Sequence, residues 1–329
     1  MKKLSLLFFL ASCLYSLSAD VYVGTTAALT AAVDTATSGD TIWVSNGTYA
    51  ISVPTTHGGL AIGGGITVRS ITGLPKDVLF YSTDGSGRVV SMATNATAWL
   101  IGVTVSNGTF PWGHGGGIGP WGNLNTNTTR GSVSNCIIKN NAANNGGNSG
   151  GGAAFCILYN CLLNDNSATT LGSGGGGSYK SLLYNCTIVS NAAVTLSGGV
   201  HDGVLYNCIS YGNSPAGDDG LSAIYYSCGE GTNYDGINNN ITNNPVFVSL
   251  TDFHLQSNSP CIDVGTNGSW TTGATDLDGS NRIYNVIVDM GTYEFRIDSP
   301  APPTTNNFKL YGCGVAKTYG VKTKKIYGR

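Results

Sequence analysis

Arg130, Lys180, His201 and Asp202 are the side-chain types that proton abstraction beside a carboxylate needs. A cation offsets the substrate's negative charge, and a basic group takes the adjacent C–H proton. Three of the four share one address: Arg130, Lys180 and Asp202 stand six residues before Cys136, Cys186 and Cys208. Phe155 and Ser222 fill the same place before Cys161 and Cys228, and Tyr179 and His201 stand one residue further back. Residues at a fixed distance from a repeated marker become neighbours when the repeats stack. A single Lys–Asp pair is more often a surface ion pair worth under about 1 kcal/mol.

A second set suits binding. Tyr159, Tyr184, Tyr206 and Tyr226 stand two residues before a cysteine. Strand alternation points them outward, because the Leu one place earlier points inward. Such a row could stack on sugar rings, or its members could stack on one another and shield the sheet. Trp112 and Trp121 bracket His114 in a Gly-rich insertion, where they are either a sugar platform or the cover of a turn. Asp276, Asp278 and Asn281 carry oxygens at the start of a calcium-like loop, but the twelfth position is Ile287 rather than an acid. No cofactor is expected, and calcium there is the one alternative.

The marker is an Asn-Cys pair: Asn135-Cys136, Asn160-Cys161, Asn185-Cys186 and Asn207-Cys208. The cysteine spacings are 161−136 = 25, 186−161 = 25 and 208−186 = 22. Cys228 follows 20 later, with Ser227 in the Asn place. Val133, Leu158, Leu183 and Leu205 lie three before Cys, and Asn141, Asn166, Asn191 and Asn213 lie five after. Gly151-Gly152, Gly176-Gly177 and Gly198-Gly199 close three units. An upstream copy, Leu100 to Asn107, puts Gly102 in the Cys place. A fixed period of this length means one unit stacked as a solenoid. Short apolar runs between Asn and Gly turns predict strands, with no helical period. In a three-strand coil, stacked Asn side chains can bond to each other about 4.8 Å apart. Cys and Asn of the pair both read as interior. Nine cysteines would otherwise suggest disulfides. Stacked cysteines have parallel Cβ vectors, however, so Cys136, Cys161, Cys186, Cys208 and Cys228 are expected to be reduced and buried.

The units resemble right-handed parallel β-helix repeats of secreted bacterial proteins. Ile138 to Asn141 with Gly151-Gly152-Ala153 resemble repeats of polymorphic outer-membrane proteins. Asp252 to Asp263, Thr275 to Arg282 and Asp289 to Glu294 resemble the closing segment of choice-of-anchor Q proteins. The expected fold is all-β: a right-handed single-stranded parallel β-helix with an N-terminal capping helix. Expected divisions are a signal peptide at 1–19, a cap at 20–40, coils at 41–248, a closing segment at 249–296, a linker at 297–307 and a basic tail at 308–329. That tail repeats Lys-x-Tyr-Gly every eight residues from Lys309.

Lys2 and Lys3 before an apolar run, with Ser18 and Ala19 beyond it, predict export. Leu10-Ala11-Ser12-Cys13 also resembles a lipobox, so lipid attachment at Cys13 is the alternative to free secretion. No later apolar run is long enough to span a membrane. A net charge of −2 gives no reason to expect nucleic acid as partner. Charged residues are only 10% of the chain, too sparse for the dense cluster that catalysis on acidic glycans needs. The favoured function is therefore binding of an extracellular polysaccharide or cell-surface component through a stacked side face. The alternative is a polysaccharide lyase or glycoside hydrolase on the same scaffold.

Overall fold

A computed structural model describes residues 18–297, apart from 53–57, 84, 86, 94–96, 112, 122–129, 145–148, 216–222 and 231–234. Trp112, Cys13 and the basic tail lie outside the described residues. Every strand pairing in the four sheets is parallel, and consecutive strands in a sheet come from consecutive coils. One coil runs through Ala153–Ala154, Cys156–Tyr159, Leu162–Asn164 and Ser167–Ala168. These lie in turn in sheets C, A, B and D, of six, nine, eight and four strands. The next coil begins at Ser178–Tyr179. This is a parallel β-helix, with a short fourth strand added to the expected three.

Corners set the register. Asn135, Asn160, Asn185 and Asn207 have φ of 51, 56, 47 and 53°. Asn tolerates this left-handed backbone better than most residues. The corner breaks strand alternation, so the Tyr before it faces out and the Cys after it faces in. Gly102 has φ 68°, and Leu100 and Ile101 pair with Val133 and Ser134. Gly102 therefore takes the Asn place rather than the Cys place, for the same backbone reason. At the last coil Tyr225, not Tyr226, pairs with Tyr206, and Tyr226 is itself the corner with φ 48°. Ser227 then sits in the Cys column, where its Oγ accepts from the Cys208 N–H at 2.9 Å.

Inside the coil, Val133, Leu158, Leu183 and Leu205 are fully buried with Cys136, Cys161, Cys186 and Cys208. These thiols are unbridged; Cys161 Sγ donates to Val133 O at 3.7 Å and Tyr159 O at 3.3 Å. A second ladder lines the interior. Asn141, Asn166 and Asn191 each donate from Nδ2 to Oδ1 of the next Asn, ending at Asn213, at 3.0 Å per step. The Gly pairs pack on this ladder. A Cβ on Gly152 would stand 2.6 Å from Gly177 O and 2.9 Å from the Asn166 amide, so only glycine fits.

At the N-terminal end, helix Thr26–Thr35 buries Leu29 and Val33 in the core of the stack, and its other residues are exposed or half-buried. Sequence patterning placed the Asn-Cys asparagines inside, and here the structure differs. They are buried, but outside the coil interior, beneath the closing segment. That segment runs back along the corner between sheets A and B. Asn135 Nδ2 donates to Asp276 O at 3.2 Å, Asn185 Nδ2 to Asp289 O at 2.9 Å, and Asn207 Nδ2 to Thr266 O at 2.8 Å. Phe253 and Leu277 pack on Leu162 and Val189 of sheet B. Among the described residues, no helix is long and apolar enough to cross a membrane.

Candidate functional site on the outer face of sheet A

The outer face of sheet A carries two columns. One runs Ser134, Tyr159, Tyr184, Tyr206, Tyr225; the other runs Trp99, Ser132, Ile157, Leu182, Val204, Ala223. Small Ser132 and Ser134 let the Trp99 indole reach Tyr159, at 6.1 Å between ring centres. From there the rings stack at 5.1, 5.3 and 4.7 Å down to Tyr225, with interplanar angles of 14, 6 and 9°. Both faces of Tyr184 and Tyr206 are thus covered by neighbouring rings. What they offer outward is an edge and a hydroxyl, one per coil. Among the described residues, none of the four phenol oxygens has a hydrogen-bond partner. Burial, with a neighbouring phenol adding, raises the Tyr159 and Tyr184 pKa values, so both stay protonated donors at neutral pH. Trp270 of the closing segment leans on Tyr159 and Tyr184 at 6.3 and 5.4 Å, tilted by 41 and 53°.

Beside the aliphatic column lies the corner between sheets C and A. Phe155, Lys180 and Asp202 occupy it with φ of 54, 48 and 54°. By register Arg130 is the previous member, two strand spacings, roughly 10 Å, from Lys180. Lys180 Nζ stands 3.9 Å from Asp202 Oδ2 and 5.3 Å from the Tyr179 ring centre. His201 stacks on Tyr179 at 5.9 Å, and His114 lies on Tyr179 at 5.1 Å and Phe155 at 5.3 Å. Arg130 is half-buried, and burial lowers its pKa. Buried Arg88, lowered by burial to about 10, holds the insertion down. It donates to Gly115 O at 2.9 Å, to Pro120 O at 2.6 Å and to His114 O. Within that insertion Gly116 and Gly117 donate to Gly151 and Gly152, so this is the coil's own Gly-Gly turn. Trp121 follows it, 40% exposed. The row of Arg130, Lys180, His201 and Asp202 therefore borders the same face as the tyrosines. Sequence columns missed Trp99, Tyr225 and Trp270. Aligning on the left-handed corner instead of Cys recovers Tyr225 but puts Ile101 in the tyrosine column and Trp99 in the aliphatic one, so neither Trp99 nor Trp270 has a repeat signal for the ladder.

The calcium-like residues serve other partners. Asp276 Oδ1 accepts from the Asp278 and Ser280 N–H groups at 3.1 and 2.8 Å. Asp278 Oδ2 is 2.7 Å from His254 Nε2, and Asp252 Oδ1 is 2.5 Å from His254 Nδ1. Asn281 O accepts from Arg296 at 2.5 Å. Among the described residues no group of three His, Cys, Asp or Glu side chains is placed to hold a metal.

These contacts give the closing segment a pH dependence. The Asp278 hydrogen bond raises His254 to about 9 against burial, with Asp252 adding to it. Burial raises Asp276 to about 6 and Glu294 to about 8, both opposed by Arg282. Each group holds its proton more tightly folded than unfolded. The His254 contribution is complete below about pH 6.5 and is lost as pH rises through about 9. The two acids act in the same direction from about pH 4 upward. Asp252 acts oppositely: His254 outweighs burial and lowers it, so its contribution is lost as pH falls. Urea midpoints measured against pH should therefore decline between about 6.5 and 9, and His254→Asn should flatten that decline. An unchanged slope in the variant would remove His254 from this account.

No family model and no curated protein matches the chain. Solved structures do. Pectate lyase Pel9A is 16% identical with a TM-score of 0.42, over 84% of this chain and 96% of that one. Alginate lyase AlyGC of the PL6 family is 14% identical with a TM-score of 0.25, over 64% of this chain and 38% of that one. The parallel β-helix itself rests on the strand pairings described above.

Proposed function

We propose that this is an exported β-helix protein that binds an extracellular polysaccharide along the outer face of sheet A. The supporting observation is the ladder from Trp99 to Tyr225, which sets one hydroxyl edge per coil beside an aliphatic strip. Sugar hydroxyls would accept from the phenols while C–H faces rest on Ile157, Leu182 and Val204. The signal at 1–19 and the resemblance of 252–294 to choice-of-anchor Q proteins support export, with lipid attachment at Cys13 as the alternative to free release. The second reading is a polysaccharide lyase, favoured by Lys180, His201 and Asp202 meeting at one corner.

One experiment separates the two. Purified mature protein is placed on a glycan array and, separately, with uronate polysaccharides. Binding is expected, with Tyr184→Phe weakening it roughly tenfold, the equivalent of about 1.4 kcal/mol. That variant keeps the ring stack and removes only the hydroxyl. Rising ultraviolet absorbance from new C=C bonds would establish the lyase reading instead. Retention equal in wild type and variant would move the site off this face.

A further inference from the structure

The register slip at the last coil has a chemical result. Sequence alignment puts Cys228 at the foot of the interior cysteine ladder. With Tyr226 as the corner, Ser227 takes that place and Cys228 moves on by one. A one-residue slip on a strand sends a side chain to the opposite face. Cys228 pairs with Ile209 and lies on the outer side of sheet B. There it joins Leu255, Cys261 and Met290 in a cluster separate from the main core. Cys261 belongs to the closing segment, whose course is fixed by Met290 N–H donating to Cys261 O at 3.0 Å. Cys228 and Cys261 are two of the five buried residues of that cluster, both fully buried and both free thiols, and Cys228 Sγ donates to Asn243 O at 3.1 Å.

This pair differs from the ladder. Cys136, Cys161, Cys186 and Cys208 project in parallel from stacked strands, a geometry that disfavours bridging. Cys228 and Cys261 approach from two different elements. We propose that Cys228 and Cys261 are joined by a disulfide in the exported protein, fastening the closing segment to the last coil. The bond forms by exchange with a disulfide oxidant, such as oxidised glutathione or a disulfide-bearing oxidase. One thiolate attacks the oxidant's sulfur, and the second then displaces the oxidant from the mixed disulfide. The oxidant leaves as two thiols that take both protons and both electrons. The neighbouring Cys261 thiol, with burial adding, pushes the Cys228 pKa up, so exchange belongs to folding, before the closing segment seats.

The proposal rests on the export reading for its setting, but its test does not. The full chain is refolded in a glutathione redox buffer, blocked with N-ethylmaleimide and digested without reductant. Trypsin has no site between Lys180 and Arg282, so cleavage at aspartate is used, with Asp235 and Asp252 lying between the two cysteines. The expected result is one linked peptide pair, 228 with 261, while the ladder cysteines are alkylated. The linked form should melt roughly 5 °C or more above the reduced form. The Cys228→Ser/Cys261→Ser double variant should lose that response to reductant. Alkylation of both residues after oxidative refolding would overturn the proposal, as would linkage of either to Cys313 or Cys13. Peptide mapping of the wild type decides the matter even if the variants fold poorly. Absence of the bond in protein recovered from culture medium would also overturn the proposal, whereas protein found only inside cells, with the bond formed on refolding, would count against export instead.

Discussion

Arg282→Ala is expected to detach the closing segment at a cost of about 3–5 kcal/mol. Arg282 is 1% exposed and lies between two elements. Its Nη1 donates to Asn160 Oδ1 at 3.0 Å on the solenoid. Its Nη2 donates to Asp289 O at 3.0 Å and Gly291 O at 2.6 Å, and stands 3.1 Å from Glu294 Oε1. The Asn column shows the same insertion. Asn160 bonds to Asn135 at 3.3 Å and Asn207 to Asn185 at 3.0 Å, while Arg282 occupies Asn160 Oδ1 at the step between the two pairs. Alanine strips buried Glu294 of its cation and takes one donor each from Asp289 O and Gly291 O, which keep Asn185 Nδ2 at 2.9 and 3.3 Å, and it leaves a space no neighbour fills. Replacing Arg282 and Glu294 together by methionine should recover much of the loss, because the desolvated pair goes with its cost. Limited proteolysis with mass mapping reads the outcome. Cuts within 261–295 that leave the coils intact are expected, and equal resistance in Arg282→Ala would refute the pinning role.

Asn166→Ala is expected to cost about 2–5 kcal/mol through the coils themselves. Asn166 Oδ1 accepts from Asn141 N and Nδ2 at 3.1 and 3.0 Å. Its Nδ2 donates to Ile138 O at 2.8 Å and to Asn191 Oδ1 at 3.0 Å. Alanine orphans a backbone N–H and a backbone C=O where water has no access, each worth about 1–3 kcal/mol. Exposed Asn258→Ala, by contrast, should stay within about 0.5 kcal/mol. Chemical denaturation compares the two. A small effect at Asn166 would mean that the ladder relaxes around the gap.

The coils were legible because each column repeats one physical demand. Leu158 and Leu183 fill the interior, Asn141 and Asn166 bond in series, and Gly152 and Gly177 admit the ladder. The errors at Gly102 and Tyr226 share one origin. Cys was used as the marker, yet the invariant is the left-handed corner before it, which Gly and even Tyr can occupy. The path of the closing segment was not legible. Its contacts join residues more than 100 apart, such as Asn135 to Asp276, and no period announces them. Arg282 and Trp270 occur once each, so no column could reveal their partners. The tyrosine row was foreseen as outward, but whether it would present faces or edges depends on ring planes that spacing does not encode.

The shortening of successive coils from 25 to 22 residues falls on one side only. From Ala168 to Ser178 the chain takes ten steps, and from Ala193 to Val200 it takes seven. From Ser178 to Leu182 and from Val200 to Val204 it takes four each time. Between these coils the other three sides therefore keep a fixed measure and the fourth absorbs the change, whereas earlier in the stack the corner from sheet C to sheet A takes the extra length, with fourteen steps from Ile118 to Ser132 against four from Ala153 to Ile157. Length can drift in evolution at that seam without shifting a single ladder partner. Loop length there is thus a free variable of these coils, on the side away from the corner that the closing segment covers.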